Sequence, residues 1–281
     1  SDALAQWPAL QGYSNELIKC WRRRVPGWNR WSFGEGRVRL TLVVDDVASA
    51  LPEIRGGVDA WFLDGFSPDR NPEMWTRQVF EGIVQASRPG ATFATYTCAG
   101  HVRRGLQQAG FQVSKSPGFG LKREMLQGRL PGLYTARSIP ANAIIIGGGV
   151  AGCAAASALA IRGFSVKLIE RSPALAAGAS GNPSGILHTR LAAGMSSLQR
   201  FVLASYGHAL ALLDEKLPID GIVRAECGEL QLAFSAEEAK RIDKLATLDW
   251  PPHVLRCVDA AEASMLAGIE LAYGGLWFPA G

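Results

Sequence analysis

Gly147-x-Gly149-x-x-Gly152 stands between an apolar, β-branched run (Ala143 to Ile146) and a small-residue stretch running from Cys153 to about Arg162. Ser165-Val-Lys-Leu-Ile-Glu170 follows, a second buried-strand pattern closed by an acid. Strand, glycine turn, helix, strand and carboxylate at a separation of roughly 20 residues is the arrangement that binds a dinucleotide. Each residue type has a physical reason. Gly147 permits the tight turn, Gly149 lets a pyrophosphate approach the backbone, and Gly152 lets the helix lie close on the strand. The helix start offers unpaired N–H groups and the positive end of its dipole to phosphate. Glu170 can accept hydrogen bonds from ribose hydroxyls. Two further carboxylates, Asp46 and Asp64, each follow a strand pattern, and at the C-terminal edge of an open α/β sheet such acids can meet an adenine amino group or a reacting amine. Asp46 has the alternative of capping the helix that follows it, and Asp64 that of stabilising the turn before Pro68.

The elements that must carry these residues alternate along the chain. Strands are expected over 39–44, 59–64 and 91–97, with helices over 47–51, 74–87 and 100–109 and a closing antiparallel pair at 111–115 and 123–126. Leu130-Pro-Gly-Leu-Tyr-Thr-Ala-Arg-Ser-Ile-Pro140 has no clear period and marks a boundary. The division expected is 1–132, a linker at 133–141, and 142–281. Beyond the second half's first two strands, a core-facing helix at 198–217, a strand at 229–234 and a charged amphipathic helix at 236–248 are expected. The fold class is α/β in both halves.

Asp59-Ala-Trp-Phe-Leu-Asp-Gly-Phe-Ser-Pro68 and Asn71-Pro-Glu-Met-Trp75 carry a resemblance. So do Arg88-Pro-Gly90, Thr92-Phe-Ala-Thr-Tyr-Thr97, Gly100-His-Val-Arg-Arg-Gly105 and Gly118-Phe-Gly-Leu-Lys-Arg-Glu-Met-Leu126, with Gly178-Ala-Ser-Gly-Asn182 in the second half. Together they resemble the MnmC family, bifunctional enzymes that make 5-methylaminomethyl-2-thiouridine in tRNA. The resemblance implies the C-terminal part of a class I, Rossmann-like methyltransferase sheet, followed by an FAD-binding domain of the D-amino-acid-oxidase-like class. It implies FAD and S-adenosylmethionine as cofactors and the wobble uridine of tRNA as substrate. The flavin half removes a carboxymethyl group oxidatively, and the methyltransferase half methylates the amine that remains. On this reading Asp64 is catalytic, and Asp46 lies on the S-adenosylmethionine side. Gly147, Gly149, Gly152, Glu170, Arg171, Ser180, Gly181 and Asn182 bind FAD. The resemblance also reads the chain as an internal fragment, starting after the methyltransferase's own glycine-rich loop and stopping within the flavin protein's substrate domain. A free-standing flavin amine or amino-acid oxidase with an upstream interaction domain is the alternative.

Composition constrains the rest. With 48% hydrophobic and 19% charged residues the chain has ordinary globular composition. Its five cysteines (Cys20, Cys98, Cys153, Cys227, Cys257) are scattered, which argues against a zinc site or a disulfide framework and fits a reducing cytoplasm. Residues 138–161 carry no charge, but three successive glycines would break a membrane helix there, so no membrane span, metal or signal peptide is expected. Residues 1–132 have formal charge +5 and residues 133–281 have −1, an asymmetry consistent with a polyanionic partner for the first half. Arg103 and Arg104 with Lys122 and Arg123, and Arg22 to Arg24 beside Trp21 and Trp28, are the candidates for phosphate contacts.

Overall fold

The computed structural model describes residues 7–281 except 35, 56, 119, 121, 136, 137, 139–141, 193, 195 and 218–222. Much of the linker expected at 133–141 lies outside the described residues. The chain forms two compact units, one made of residues 1–44 with 139–281 and the other of residues 45–138.

The first unit opens with α1 (Gln11–Arg22), followed by the antiparallel hairpin β1 (Gly27–Phe33) and β2 (Val38–Val44), which pair from Gly27↔Val44 to Phe33↔Val38. The strand expected at 39–44 is therefore half of a hairpin and lies in a different sheet from the strand that leads to Asp64. A short connection makes β1 the cheapest available partner, and every residue of β2 finds a register mate there.

The second unit holds α2 (Val47–Ala50), β3 (Val58–Phe62), α3 (Arg77–Ala86), β4 (Ser87–Thr95), α4 (Gly100–Ala109), β5 (Gln112–Pro117) and β6 (Glu124–Arg129). The sheet order is β3-β4-β6-β5. β3 and β4 run parallel, while β6 is antiparallel to both β4 and β5. The core beneath α3 and α4 is Val79, Phe80, Ile83, Phe93, Val102, Leu106, Phe111 and Leu126, all buried. Phe93 meets Phe111 edge to face at 5.0 Å between ring centres, a geometry the ring quadrupoles favour.

The remainder of the first unit carries β7 (Asn142–Ile146), α5 (Val150–Ala160), β8 (Ser165–Ile169), α6 (Ser197–Lys216), β9 (Glu229–Leu232), α7 (Ala236–Ala246), β10 (Arg256–Val258), α8 (Ala260–Ala267) and β11 (Gly275–Phe278). β7 and β8 form a parallel pair, and β10-β11-β9 an antiparallel sheet. α6 packs on β1, and Val25, Leu203, Tyr206, Leu210, Leu245, Leu276 and Phe278 share one buried core. A Cβ on Gly207 would meet the Val25 side chain at 3.0 Å, so the glycine sets how closely helix and segment approach.

Candidate functional site

In the cradle of the first unit, β7 and β8 run in register from Asn142↔Ser165 to Ile146↔Ile169, and the Gly147 N–H donates to the Ile169 carbonyl at 2.8 Å. Gly147 has φ +100°, in the left-handed region. A Cβ on Gly152 would sit 1.9 Å from the Gly147 carbonyl oxygen, so only hydrogen fits where α5 crosses the strand end. Gly149 is the N-cap of α5 and supplies no side-chain cap. That leaves the first N–H groups to other acceptors.

Ser180 takes one of them, and Glu170 accepts from the backbone just ahead of the helix. Glu170 Oε2 accepts from Gly148 N at 2.6 Å, and its Oε1 accepts from Ser172 N at 2.8 Å. Ser180 Oγ accepts from Val150 N at 3.0 Å. The backbone donors, Ser172 foremost and then Gly148, hold the Glu170 carboxyl below its ordinary range, because they stabilise only the ionised form. The loop carrying Ser180 folds back over the glycine turn. Ala176 N donates to the Gly148 carbonyl at 3.0 Å, and a Cβ on Gly181 would meet the Ala176 carbonyl oxygen at 2.1 Å. Gly147, Gly149, Gly152, Glu170, Ser180 and Gly181 are thus brought together. Arg171 and Asn182 stand exposed beside them. Cys153 is a packing residue whose thiol faces the Gly148 carbonyl at 3.5 Å.

The second unit gathers Asp64 through strand pairing. Ala60↔Thr92, Trp61↔Phe93 and Phe62↔Ala94 are register mates, so the C-terminal ends of the parallel strands β3 and β4 lie side by side. Leu63 N donates to the Ala94 carbonyl at 2.9 Å, and Thr95 Oγ1 donates back to the Leu63 carbonyl at 2.7 Å. The turn after Asp64 is held by Tyr96, whose hydroxyl donates to the Gly65 carbonyl at 2.8 Å, and by Trp75, whose indole N–H donates to the Phe66 carbonyl at 2.9 Å. Asp64 itself is exposed. It lines a cavity of about 320 Å³ with Phe62, Thr95, Tyr96, Lys122 and Met125. The Lys122 ammonium lies over the Tyr96 ring, 4.9 Å from its centre.

Asp46 lies elsewhere. Its Oδ1 caps α2, accepting from Ala48 N at 2.9 Å and Ser49 N at 3.2 Å, and its strand is not in the Asp64 sheet. Arg23 is tied to Asp214 and Glu226, and Arg24 stacks on Trp21 at 4.3 Å from the ring centre. Arg103, Arg104 and Arg123 remain exposed. Tyr96, Thr95 and Met125 escaped the sequence reading as site residues. The signal for Thr95 and Tyr96 is the parallel neighbour of the Asp64 strand, which ends at Thr95 and leads into Tyr96-Thr97, whereas Met125 comes from the antiparallel β6. Among the described residues no helix is long and apolar enough to cross a membrane, and no His/Cys/Asp/Glu group suits a metal ion.

The two halves fall into two classes. Residues 8–131 match the S-adenosyl-L-methionine-dependent methyltransferase family, and residues 142–281 match the FAD dependent oxidoreductase family. Over nearly its whole length the chain is also similar to curated relatives called tRNA 5-methylaminomethyl-2-thiouridine biosynthesis bifunctional protein MnmC. It is 73% identical to the Nitrosospira multiformis protein, covering 99% of this chain and 45% of that one. It is 48% identical to the Methylobacillus flagellatus protein, covering 99% and 43% respectively. The chain is similar to these MnmC proteins and spans about half the length of the relatives it matches. The crystal structure of MNMC2 from Aquifex aeolicus is similar at 27% identity with a TM-score of 0.32, covering 37% of this chain and 35% of that one.

Proposed function

We propose that the full-length protein modifies the wobble uridine of tRNA in two steps. The flavin half oxidatively removes the carboxymethyl group from 5-carboxymethylaminomethyl-(2-thio)uridine, and the methyltransferase half then methylates the exposed amine. The relatives' name supports this reading for the whole protein. The observation that carries it is the Asp64 cavity, where a carboxylate is fixed at the end of a parallel strand, on a turn pinned by Tyr96 and Trp75, beside apolar walls.

The first cradle fits FAD. The close approach at Gly152 leaves no room for a side chain, and Glu170 is a half-buried acceptor held toward its ionised form by backbone donors. Gly147 to Gly149 and the start of α5 would hold the pyrophosphate, and Glu170 the ribose. Ser180, Gly181 and Asn182 would close over them, with Arg171 alongside. FAD when bound supplies the two-electron oxidation of the C–N bond. What the chain contributes is position and an ionised acceptor that keeps the turn in one conformation.

For S-adenosylmethionine the fit is partial. Among the described residues of 7–138 no strand passes through a glycine turn into a helix as Ile146 passes into α5, so no residue is assigned to the methionine moiety. Asp46 Oδ2 has no partner among the described residues and can accept from the adenosine side. When bound, this cofactor supplies a methyl group on a sulfonium. Asp64 orients the acceptor amine and takes up its proton, and the rigid turn delivers the alignment that methyl transfer demands. The tRNA is the partner on this reading, and the reaction belongs to the cytoplasm.

Asp64→Ala in the full-length protein tests the proposal. Methylation should fall by ~10²-fold or more while the flavin-dependent step continues, so the aminomethyl nucleoside accumulates in digested tRNA. Wild-type amounts of methylated nucleoside would reduce Asp64 to a turn residue and remove the ground for the reading.

A further inference from the structure

A carboxylate beside an amine creates a chemical conflict. An aliphatic amine is largely protonated near neutral pH, and an adjacent carboxylate favours the charged form by a further ~1–3 pKa units. The ammonium has no lone pair, so Asp64 acting alone would hold the acceptor in its unreactive state. The cavity contains a counterweight. Lys122 lines it together with Asp64, and the two form no ion pair with each other among the described residues. The Lys122 head group is instead steered by the Tyr96 ring at 4.9 Å, and the hydroxyl of that same tyrosine holds the carbonyl of Gly65, next to Asp64. One aromatic side chain therefore contacts the turn that carries Asp64 through its hydroxyl and the Lys122 head group through its ring, on the wall of one cavity. Asp64 from the end of β3, Tyr96 from the end of β4 and Lys122 ahead of β6 are the titratable groups on the wall. Nearby Glu124 is turned to Lys115 at 2.6 Å.

We infer that Lys122 sets the charge state of the acceptor amine, opposing protonation in the site that Asp64 otherwise biases toward the ammonium. The inference rests on the methyl-transfer reading above. In the step, the neutral amine's lone pair attacks the methyl carbon of a sulfonium donor. The N–C bond forms as the C–S bond breaks, the electron pair of the broken bond stays on sulfur, and the product loses its proton to Asp64 or water. Lys122 transfers nothing; its fixed positive charge makes the lone pair available.

The test is the pH dependence of kcat for methylation of aminomethyl-bearing tRNA by the full-length protein, under saturating donor, in single-turnover mode. Lys122→Met should lower kcat about tenfold at neutral pH and move the ascending limb about one unit to higher pH, regaining the wild-type rate above it. Lys122→Arg should keep the wild-type profile. Lys122 is exposed, so the melting temperature and flavin content should be unchanged; Lys122→Gln gives the same reading if the methionine variant melts early. A deficit equal at every pH, or no deficit, would overturn the inference. Asp64→Ala run in parallel separates the two claims. Loss of methylation in that variant with an unshifted Lys122→Met profile overturns only the role of Lys122, whereas retained methylation overturns the functional reading itself.

Discussion

Glu170, half-buried at the end of β8, holds two backbone segments at once. Its two oxygens accept from Gly148 and Ser172, so the carboxylate closes the glycine turn. Because these donors depress its pKa, the stability it contributes is fully present above the ordinary carboxylate pKa. That contribution is lost as pH falls through the lowered value. Glu170→Gln keeps the shape but replaces one acceptor with a donor that faces an N–H. The variant should melt below wild type at neutral pH, and the gap should narrow as pH falls below the ordinary carboxylate range. A gap constant with pH would show that the carboxylate's charge plays no part. Glu170 and the three glycines were legible in the sequence because their chemistry is local: strand, turn and acid follow one another in order. Tyr96 and Lys122 were not legible as partners of Asp64. They reach it through the parallel pairing of β3 with β4 and the antiparallel return of β6, and no spacing in the chain encodes that adjacency.

At the scale of elements, α3 and α4 hold the Asp64 sheet from one side, and their contact is set by Gly105. A Cβ there would lie 2.3 Å from the ring of Phe80, itself 2% exposed and with no space to retreat. Gly105→Ala should therefore destabilise the 45–138 unit by ~1–3 kcal/mol through overpacking, despite the better helix propensity of alanine. A raised or unchanged melting temperature would mean that α4 slides without cost. The helices at 77–86, 100–109, 197–216 and 236–246 were legible because their apolar residues recur at helical spacing. The hairpin β1–β2 was only half legible. In Gly27-Trp-Asn-Arg-Trp-Ser-Phe33 the inward positions include Asn29, which breaks the apolar alternation expected of a strand. Asn29 is buried because its side chain accepts from Val25 N and donates to the Val25 carbonyl, both at 2.8 Å. That pairing satisfies the amide where a pattern argument expects a hydrophobe. The segment 256–278 was unread for a related reason: β10, α8 and β11 are three, eight and four residues long, too short for a period to emerge.

At the scale of the molecule, the methyltransferase family match begins at residue 8, yet residues up to 44 are compact with the flavin half. Val25 sits in the core with Leu203 and Phe278, His253 bonds the Arg24 carbonyl at 2.7 Å, and Arg39 donates to the Ile161 carbonyl at 2.7 Å. The electrostatic joint is a four-residue network. Arg23 and Arg224 both pair with Asp214 and with Glu226, at 2.8 Å for Arg224 with Asp214 and 3.1 Å for Arg23 with Asp214. Two cations balance two anions, so deleting one leaves an uncompensated carboxylate. The side chains of Arg23, Asp214 and Glu226 are 22–32% exposed, and solvent softens the penalty from the full cost of a buried pair toward that of a surface pair. Arg23→Ala should therefore cost about 1–2 kcal/mol, confined to the unit that holds residues 7–44 and 139–281. Hydrogen exchange followed by mass spectrometry locates the loss. Protection should fall together in α1, β1 and α6 and stay unchanged in β3 to β6, because the network belongs to the core of the first unit. Loosening of β3 to β6 instead would show that residues 7–44 fold with the methyltransferase sheet, and that the family boundary, not the compact unit, governs stability.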